Sequence, residues 1–171
     1  MVITIYFDMD GVLAKWRNAK VKKTHKKKFF LRSKLQVNVR DTIALLNNNE
    51  RFIINGLSHA YPDAHSAKNK HIWVQRKNVV FNKLIIVPYG ENKADYAAKK
   101  GIKVLVDDNS KVLRAWCEKG PEYIGIKFYN GINGNNGTWM GQSISHEMTA
   151  EEMTRAIIKI IDDAVSERKV A

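Results

Sequence analysis

Apolar residues follow two alternating rhythms along this chain. Short continuous runs have the length and make-up of strands buried on both faces. They are "VITIYF" (2–7), "RFIINGLS" (51–58), "KLIIVP" (83–88), "IKVLVDDN" (102–109) and "YIGIKF" (123–128). Between them the spacing becomes helical. Val39, Ile43 and Leu46 recur in "NVRDTIALLNNNE", and Ala67, Lys70, His71 and Val74 mark one side of "DAHSAKNKHIWVQRK". "NKADYAAKK" predicts a short helix stopped by Gly101. Ser110 opens a further helix with Val112, Leu113, Trp116 and Cys117 inward, closed by Gly120-Pro121. The last helix starts on a capping box, Thr149 with Glu152, and buries Met153, Ile157, Ile160, Ile161 and Ala164. Acidic residues in its first turn and Arg168 and Lys169 in its last match the helix dipole. The glycine- and asparagine-rich "NGINGNNGTWMGQS" (130–143) fits neither rhythm and predicts no regular structure. It either orders over a substrate or stays disordered.

Strands alternating with helices predict an α/β, Rossmann-like parallel sheet with helices on both faces. There is no internal repeat and no linker, so residues 1–171 read as one domain. In such sheets ligands bind outside the carboxyl ends of the strands, which makes the polar residues at those ends the ones to examine.

Strand one ends in Asp8 and Asp10, strand two in Ser58, and strand four in Asp107 and Asp108; Lys93 lies just beyond strand three. A parallel sheet gathers them at one edge, where several carboxylates repel one another unless a cation is present. Oxygen donors without a His or Cys cluster favour Mg²⁺. A carboxylate can attack phosphorus to form an aspartyl-phosphate. A second one, two residues on, can protonate the leaving oxygen and later activate water. A lysine and a hydroxyl can hold the phosphoryl oxygens, and Gly11 lets the backbone turn away sharply. Each residue also has a plainer reading. Asp107 to Ser110 could be a helix N-cap, Ser58 a turn residue, and Lys83 or Lys99 could stand where Lys93 does.

Composition narrows the partners. With 44% hydrophobic and 27% charged residues the chain reads as globular, and no window reaches the roughly 18 apolar residues of a membrane span. The N-terminus has no basic region before its apolar run, so it is not a signal peptide. A lone cysteine, Cys117 on an apolar helical face, suits a reducing cytoplasmic setting and an inert thiol. The net charge is +12, and ten of the basic residues lie between Lys15 and Lys34 with no acid among them, leaving +2 for the rest. Such a segment attracts phosphates, nucleic acid or acidic lipid, unless it is merely a solvated loop. The five histidines show no metal-ligand spacing; His59, beside Ser58, reaches the mouth of the site or is a solvated loop residue. Trp16, Phe29 and Phe30 serve either to pack a small cap or to stack on a base.

In this order and spacing, "DMDGV", "INGLS", Lys93 and "VLVDD" resemble the four motifs of the haloacid-dehalogenase-like (HAD) phosphohydrolases, across about Ile3 to Asn109. Within that superfamily, "KFFLRSKL" ahead of the second-motif helix and "KHIWV" (70–74) are similar to the 5'(3')-deoxyribonucleotidase-like group. The resemblance implies an Mg²⁺-dependent phosphomonoester hydrolase acting on a phosphorylated small molecule, a nucleotide first. Asp8 would be the nucleophile and Asp10 the acid/base, its carbonyl also on Mg²⁺. Ser58 and Lys93 would hold the phosphate, and Asp107 with Asp108 the metal alongside Asp8; His59 joins the substrate-binding candidates only through its place next to Ser58. "LSHAYP" departs from that group's second motif. The insert after strand one (about 14–36) is far shorter than the helical cap of larger nucleotidases, and its basic character admits a phosphorylated nucleic-acid end as the alternative substrate, or nucleic-acid binding without turnover.

Overall fold

The computed structural model describes residues 2–15, 26, 28–132 and 139–170. Every residue of β1 (Ile3–Phe7) is buried, because this strand is central: it pairs in parallel with β2 (Phe52–Ala60) on one side and β4 (Ile102–Asp107) on the other. β3 (Lys83–Pro88) extends the sheet beyond β2, and β5 (Tyr123–Tyr129) and β6 (Ser143–Ser145) extend it beyond β4. All five pairings are parallel, in the order β3-β2-β1-β4-β5-β6. Registers such as Phe7 opposite both Gly56 and Val106 bring the carboxyl ends of β1, β2 and β4 level.

Alternation along β1 divides the core. Ile3, Ile5 and Phe7 face α1 (Val37–Asn47), α2 (Ser66–Arg76) and α4 (Ala150–Val170), through Ile43, Trp73, Met153 and Ile157. Tyr6 faces the opposite layer, with Leu113 and Trp116 of α3 (Ser110–Cys117). Each layer has an indole at its centre. Trp116 lies edge-on to Tyr6 at 5.5 Å and to Tyr123 at 5.2 Å, while Trp73 lies edge-on to Phe30 at 5.4 Å and donates to the Ser33 carbonyl. The capping box of α4 is formed in both directions, Thr149 N to Glu152 Oε2 and Glu152 N to Thr149 Oγ1.

The sheet holds a sixth strand where none is predicted: β6 begins at Ser143, within the glycine-rich stretch. Ile144 is its only large apolar residue, and its pairing with Lys127–Tyr129 is a main-chain matter that periodicity does not register. Residues 133–138 of that stretch lie outside the described residues. The helix predicted in "NKADYAAKK" is a single 3-10 turn, Lys93–Tyr96. Ala97 is extended, and the Ala98 N–H is taken by the Tyr6 hydroxyl at 2.7 Å, which draws the chain off the helical path. α2 buries Asn69, Lys70, Trp73 and Val74, while His71 is exposed, so its inward face is rotated from the one predicted. Cys117 is only partly buried, and that burial raises its thiol pKa.

After β1 the chain makes a detour whose ends lie side by side. Lys15 N donates to the Lys34 carbonyl at 2.8 Å, Gln36 N to Leu13 O at 2.8 Å, and Ala14 bridges to Leu35. Residues 16–25 and 27, which carry five of the ten basic residues of that segment with Trp16 and His25, lie outside the described residues. On the returning limb, a 3-10 turn (Phe30–Arg32) sets Phe30 into the core. Among the described residues no helix is long and apolar enough to cross a membrane.

Candidate active site

Asp8 leaves the end of β1 with its backbone still in the sheet, Asp8 N donating to Val106 O at 2.9 Å. Its carboxylate is buried and accepts from Lys93 Nζ at 2.7 Å. The same ammonium reaches Asp107 Oδ2 at 2.7 Å. Burial pushes the Asp8 pKa up, but the charges of Lys93 and Lys70, with bonds from Lys93 and Ser58, outweigh it and hold the group below the ordinary carboxyl value. Burial opposes the charge on Lys93 too. Asp107 and Asp8 more than offset it, so its pKa is raised. Lys83 and Lys99, the other lysines available from sequence, are both exposed.

Asp107 and Asp108 follow on the end of β4. Asp107 accepts from Asn109 N at 2.8 Å, and Asn109 caps α3 with bonds from Lys111 N and Val112 N. The helix-cap reading of this segment is therefore correct for Asn109 without accounting for the aspartates. Burial, with Asp107 and Asp8 close by, pushes the Asp108 carboxyl up to about 8; burial likewise raises Asp107, against the pull of Lys93. Carboxylate oxygens of Asp8, Asp107 and Asp108 all lie within 4.8 Å of one another. This oxygen-only, mutually repelling donor set fits a hard divalent cation.

Asp10 belongs to the same edge but not to that cluster. Its carboxylate is bonded to the ammonium of Lys70, which also donates to Ser58 Oγ at 2.8 Å. Ser58, fully buried, lies 3.5 Å from Asp10 Oδ2. Between the two aspartate clusters the chain turns at Gly11, with φ +83°, where a Cβ would fall 2.1 Å from Asp108 Oδ2. Glycine is thus required twice here, for the backbone angle and for the approach of the carboxylate.

His59 Nε2 is 2.8 Å from the Glu91 carbonyl and its ring meets Tyr89, so it braces the chain that follows β3.

Three supporting residues escape a reading of strand ends. Lys70 holds Asp10 from α2. Lys127, on β5, is buried and donates to the Asp108 carbonyl and to Ser110 Oγ. Asn130 donates to Asp108 Oδ2 at 2.9 Å and to the Gly11 carbonyl at 3.1 Å, tying the two motifs together. The sequence offers a partial signal for two of them: Lys70 lies on the marked side of its helix and in "KHIWV", and Lys127 interrupts the apolar run "YIGIKF".

No protein-family model and no curated protein matches the chain. Among solved structures, two of the HAD domain of effector protein Lem4 from Legionella pneumophila are similar to it, each with a TM-score of 0.56. One, an inactive mutant, is 12% identical over 98% of both chains; the other is 14% identical over 96% of this chain and 98% of that one. At these identities the likeness establishes the fold: this chain has the fold of a HAD domain.

Proposed function

We propose that the protein is a phosphomonoester hydrolase that works through an aspartyl-phosphate on Asp8, with Mg²⁺ as cofactor and a nucleoside monophosphate as substrate. One observation carries the reading. Asp8 is buried yet held ionised, with Lys93 at 2.7 Å, and Asp10 stands two residues on with its carboxylate fixed by Lys70. A buried carboxylate kept charged among cations is a nucleophile suited to an anionic phosphoryl group.

In the first step an Asp8 oxygen bonds to phosphorus as the bond to the leaving oxygen breaks, and Asp10 gives that oxygen a proton. In the second, Asp10 takes a proton from water as it attacks the same phosphorus. The bond from phosphorus to Asp8 breaks, and inorganic phosphate and the free carboxylate are restored. Lys93 and Ser58 hold the phosphoryl oxygens. Asp8, Asp107 and Asp108, with the Asp10 carbonyl, would hold Mg²⁺, whose charge offsets the repulsion between carboxylate and phosphate. The nucleotide assignment rests on the resemblance carried by "KFFLRSKL" and "KHIWV", and is supported by the contact these segments make: Lys70 Nζ is 4.9 Å from the Phe30 ring centre, and Trp73 packs on Phe30.

The test is phosphate release from para-nitrophenyl phosphate, with and without Mg²⁺, by the wild type and Asp8→Asn. Turnover that needs Mg²⁺ and is lost in the variant is expected. Equal activity in both proteins would sink the nucleophile assignment.

A further inference from the structure

The carboxyl ends of β2 and β3 carry a cluster of rings that the hydrolytic chemistry leaves unused. Tyr61 and Tyr89 face each other with centroids 4.7 Å apart and planes 32° from parallel, and His59 meets Tyr89 nearly edge-on at 6.3 Å. The cluster is built on fixed backbone: Tyr89 N donates to the Ala60 carbonyl at 2.9 Å, and His59 Nε2 is bonded to the Glu91 carbonyl. Tyr89 is nevertheless 64% exposed, and it is the one exposed ring among the described Phe, Tyr and Trp residues. Every other such ring is at least partly sheltered by packing.

Its place gives this exposure a meaning. His59 directly follows Ser58 at the end of β2, and Tyr89, the first residue after β3, precedes Lys93 by four, so the rings stand on the same two strand ends that lead to the phosphate-binding pair. Gly90, with φ +94° and open space around its α-carbon, turns the chain from Tyr89 back toward Lys93. A ring left in water at the sheet edge where Ser58 also lies, one residue beyond the level of Ala60 and Pro88, offers a π-face to a planar group attached to the phosphate.

We infer that Tyr89, backed by Tyr61 and braced by His59, is a stacking wall for the nucleobase of the substrate, and so a determinant of specificity. This rests on the nucleotidase reading above. Every base has a π-face, so stacking of this kind tolerates any of the four. The wall therefore selects for the presence of a base and leaves its identity open.

The experiment compares a nucleoside 5'-monophosphate, ribose 5-phosphate and a short 5'-phosphorylated oligonucleotide, using the wild type, Tyr89→Ala and Tyr89→Phe with saturating Mg²⁺. Tyr89→Ala is expected to raise KM for the nucleotide by about 5- to 150-fold, the range of base-stacking losses on alanine substitution. It should leave kcat/KM for ribose 5-phosphate unchanged, and Tyr89→Phe should retain the wild-type KM. A parallel loss on the oligonucleotide would extend the wall to the terminal base of a strand. Equal losses on nucleotide and ribose 5-phosphate, or no loss on either, would overturn the inference. If the wild type hydrolyses none of the three, the nucleotidase reading fails by itself. The wall is then judged by calorimetric titration with the nucleotide, where equal affinities of wild type and Tyr89→Ala overturn it.

Discussion

One ammonium serves two carboxylates: Lys93 Nζ stands 2.7 Å from Asp8 Oδ1 and 2.7 Å from Asp107 Oδ2, and all three groups are buried. The arrangement joins strand four to strand one through a residue that belongs to neither.

Removing that charge should harm the fold as well as the chemistry. Lys93→Met takes from two buried carboxylates the ammonium they share, a change that costs about 3–5 kcal/mol when a buried pair is broken. The sign with pH follows. Asp8 is now held below its ordinary value, so it stabilises the protein above the unfolded pKa and loses that contribution as pH falls. In the variant both carboxyls retain protons more readily, so its deficit should be greatest near neutrality and shrink toward pH 4. Urea denaturation at several pH values measures this, and a deficit independent of pH would contradict it.

Asp108 gives an opposite dependence. With its carboxyl pushed from an ordinary 3.8 to about 8, the folded protein keeps a proton that the unfolded chain has lost between those values. The contribution of this group to stability therefore falls as pH rises across that window. A cation must displace the proton to bind, so stabilisation by Mg²⁺ should be larger at pH 8 than at pH 6. Asp108→Asn should raise the melting temperature of the metal-free protein at pH 8 and reduce the Mg²⁺ shift. Thermal melts with Mg²⁺ and with a chelator decide the matter; a shift of the same size at both pH values would count against it.

Lys70 is expected to act through Asp10. A general acid contributes about 10²–10⁴ to rate when the leaving group needs its proton. Lys70→Met frees the Asp10 carboxylate, and the loss in kcat should reach about tenfold or more for an alkyl phosphate, whose alkoxide departs poorly unprotonated. Para-nitrophenyl phosphate, whose phenolate leaves without help, should lose much less in the first step. Identical losses on the two substrates would assign Lys70 to phosphate binding instead.

The aspartates were legible because a charge closing an apolar strand has little structural purpose there. Asp8, Asp10, Asp107 and Asp108 interrupt runs that otherwise read as interior, and a parallel sheet leaves them one edge to share. Lys70 was not legible as part of the site. On an amphipathic helix a lysine counts as solvated until the rotation of the helix is known, and α2 is rotated so that Lys70 and Trp73 point inward together. Lys127 stands out in its strand, yet its targets, the Asp108 carbonyl and Ser110, depend on β5 lying next to β4. Asn130 looks like one more loop residue until β5 delivers it to Gly11. The single turn at Lys93–Tyr96 turned on a phenol from the other end of the sequence, that of Tyr6. What was hidden is in each case a consequence of neighbours far away along the chain.

The detour after β1 has a further consequence. Its outgoing and returning limbs touch at Lys15 N and the Lys34 carbonyl, and the returning limb is held further by Phe30 and Ser33 against Trp73. A loop closed in this way can change in length with an entropic cost that grows only as the logarithm of its size. The part of the segment ahead of that packed limb is therefore interchangeable in a sense that the strand ends are not. Grafting a different sequence between Lys15 and Lys26, with Phe30 and Ser33 kept, should leave the aspartates, Lys93 and the sheet as they are, making this the natural place for such a protein to acquire a new substrate while keeping an old reaction.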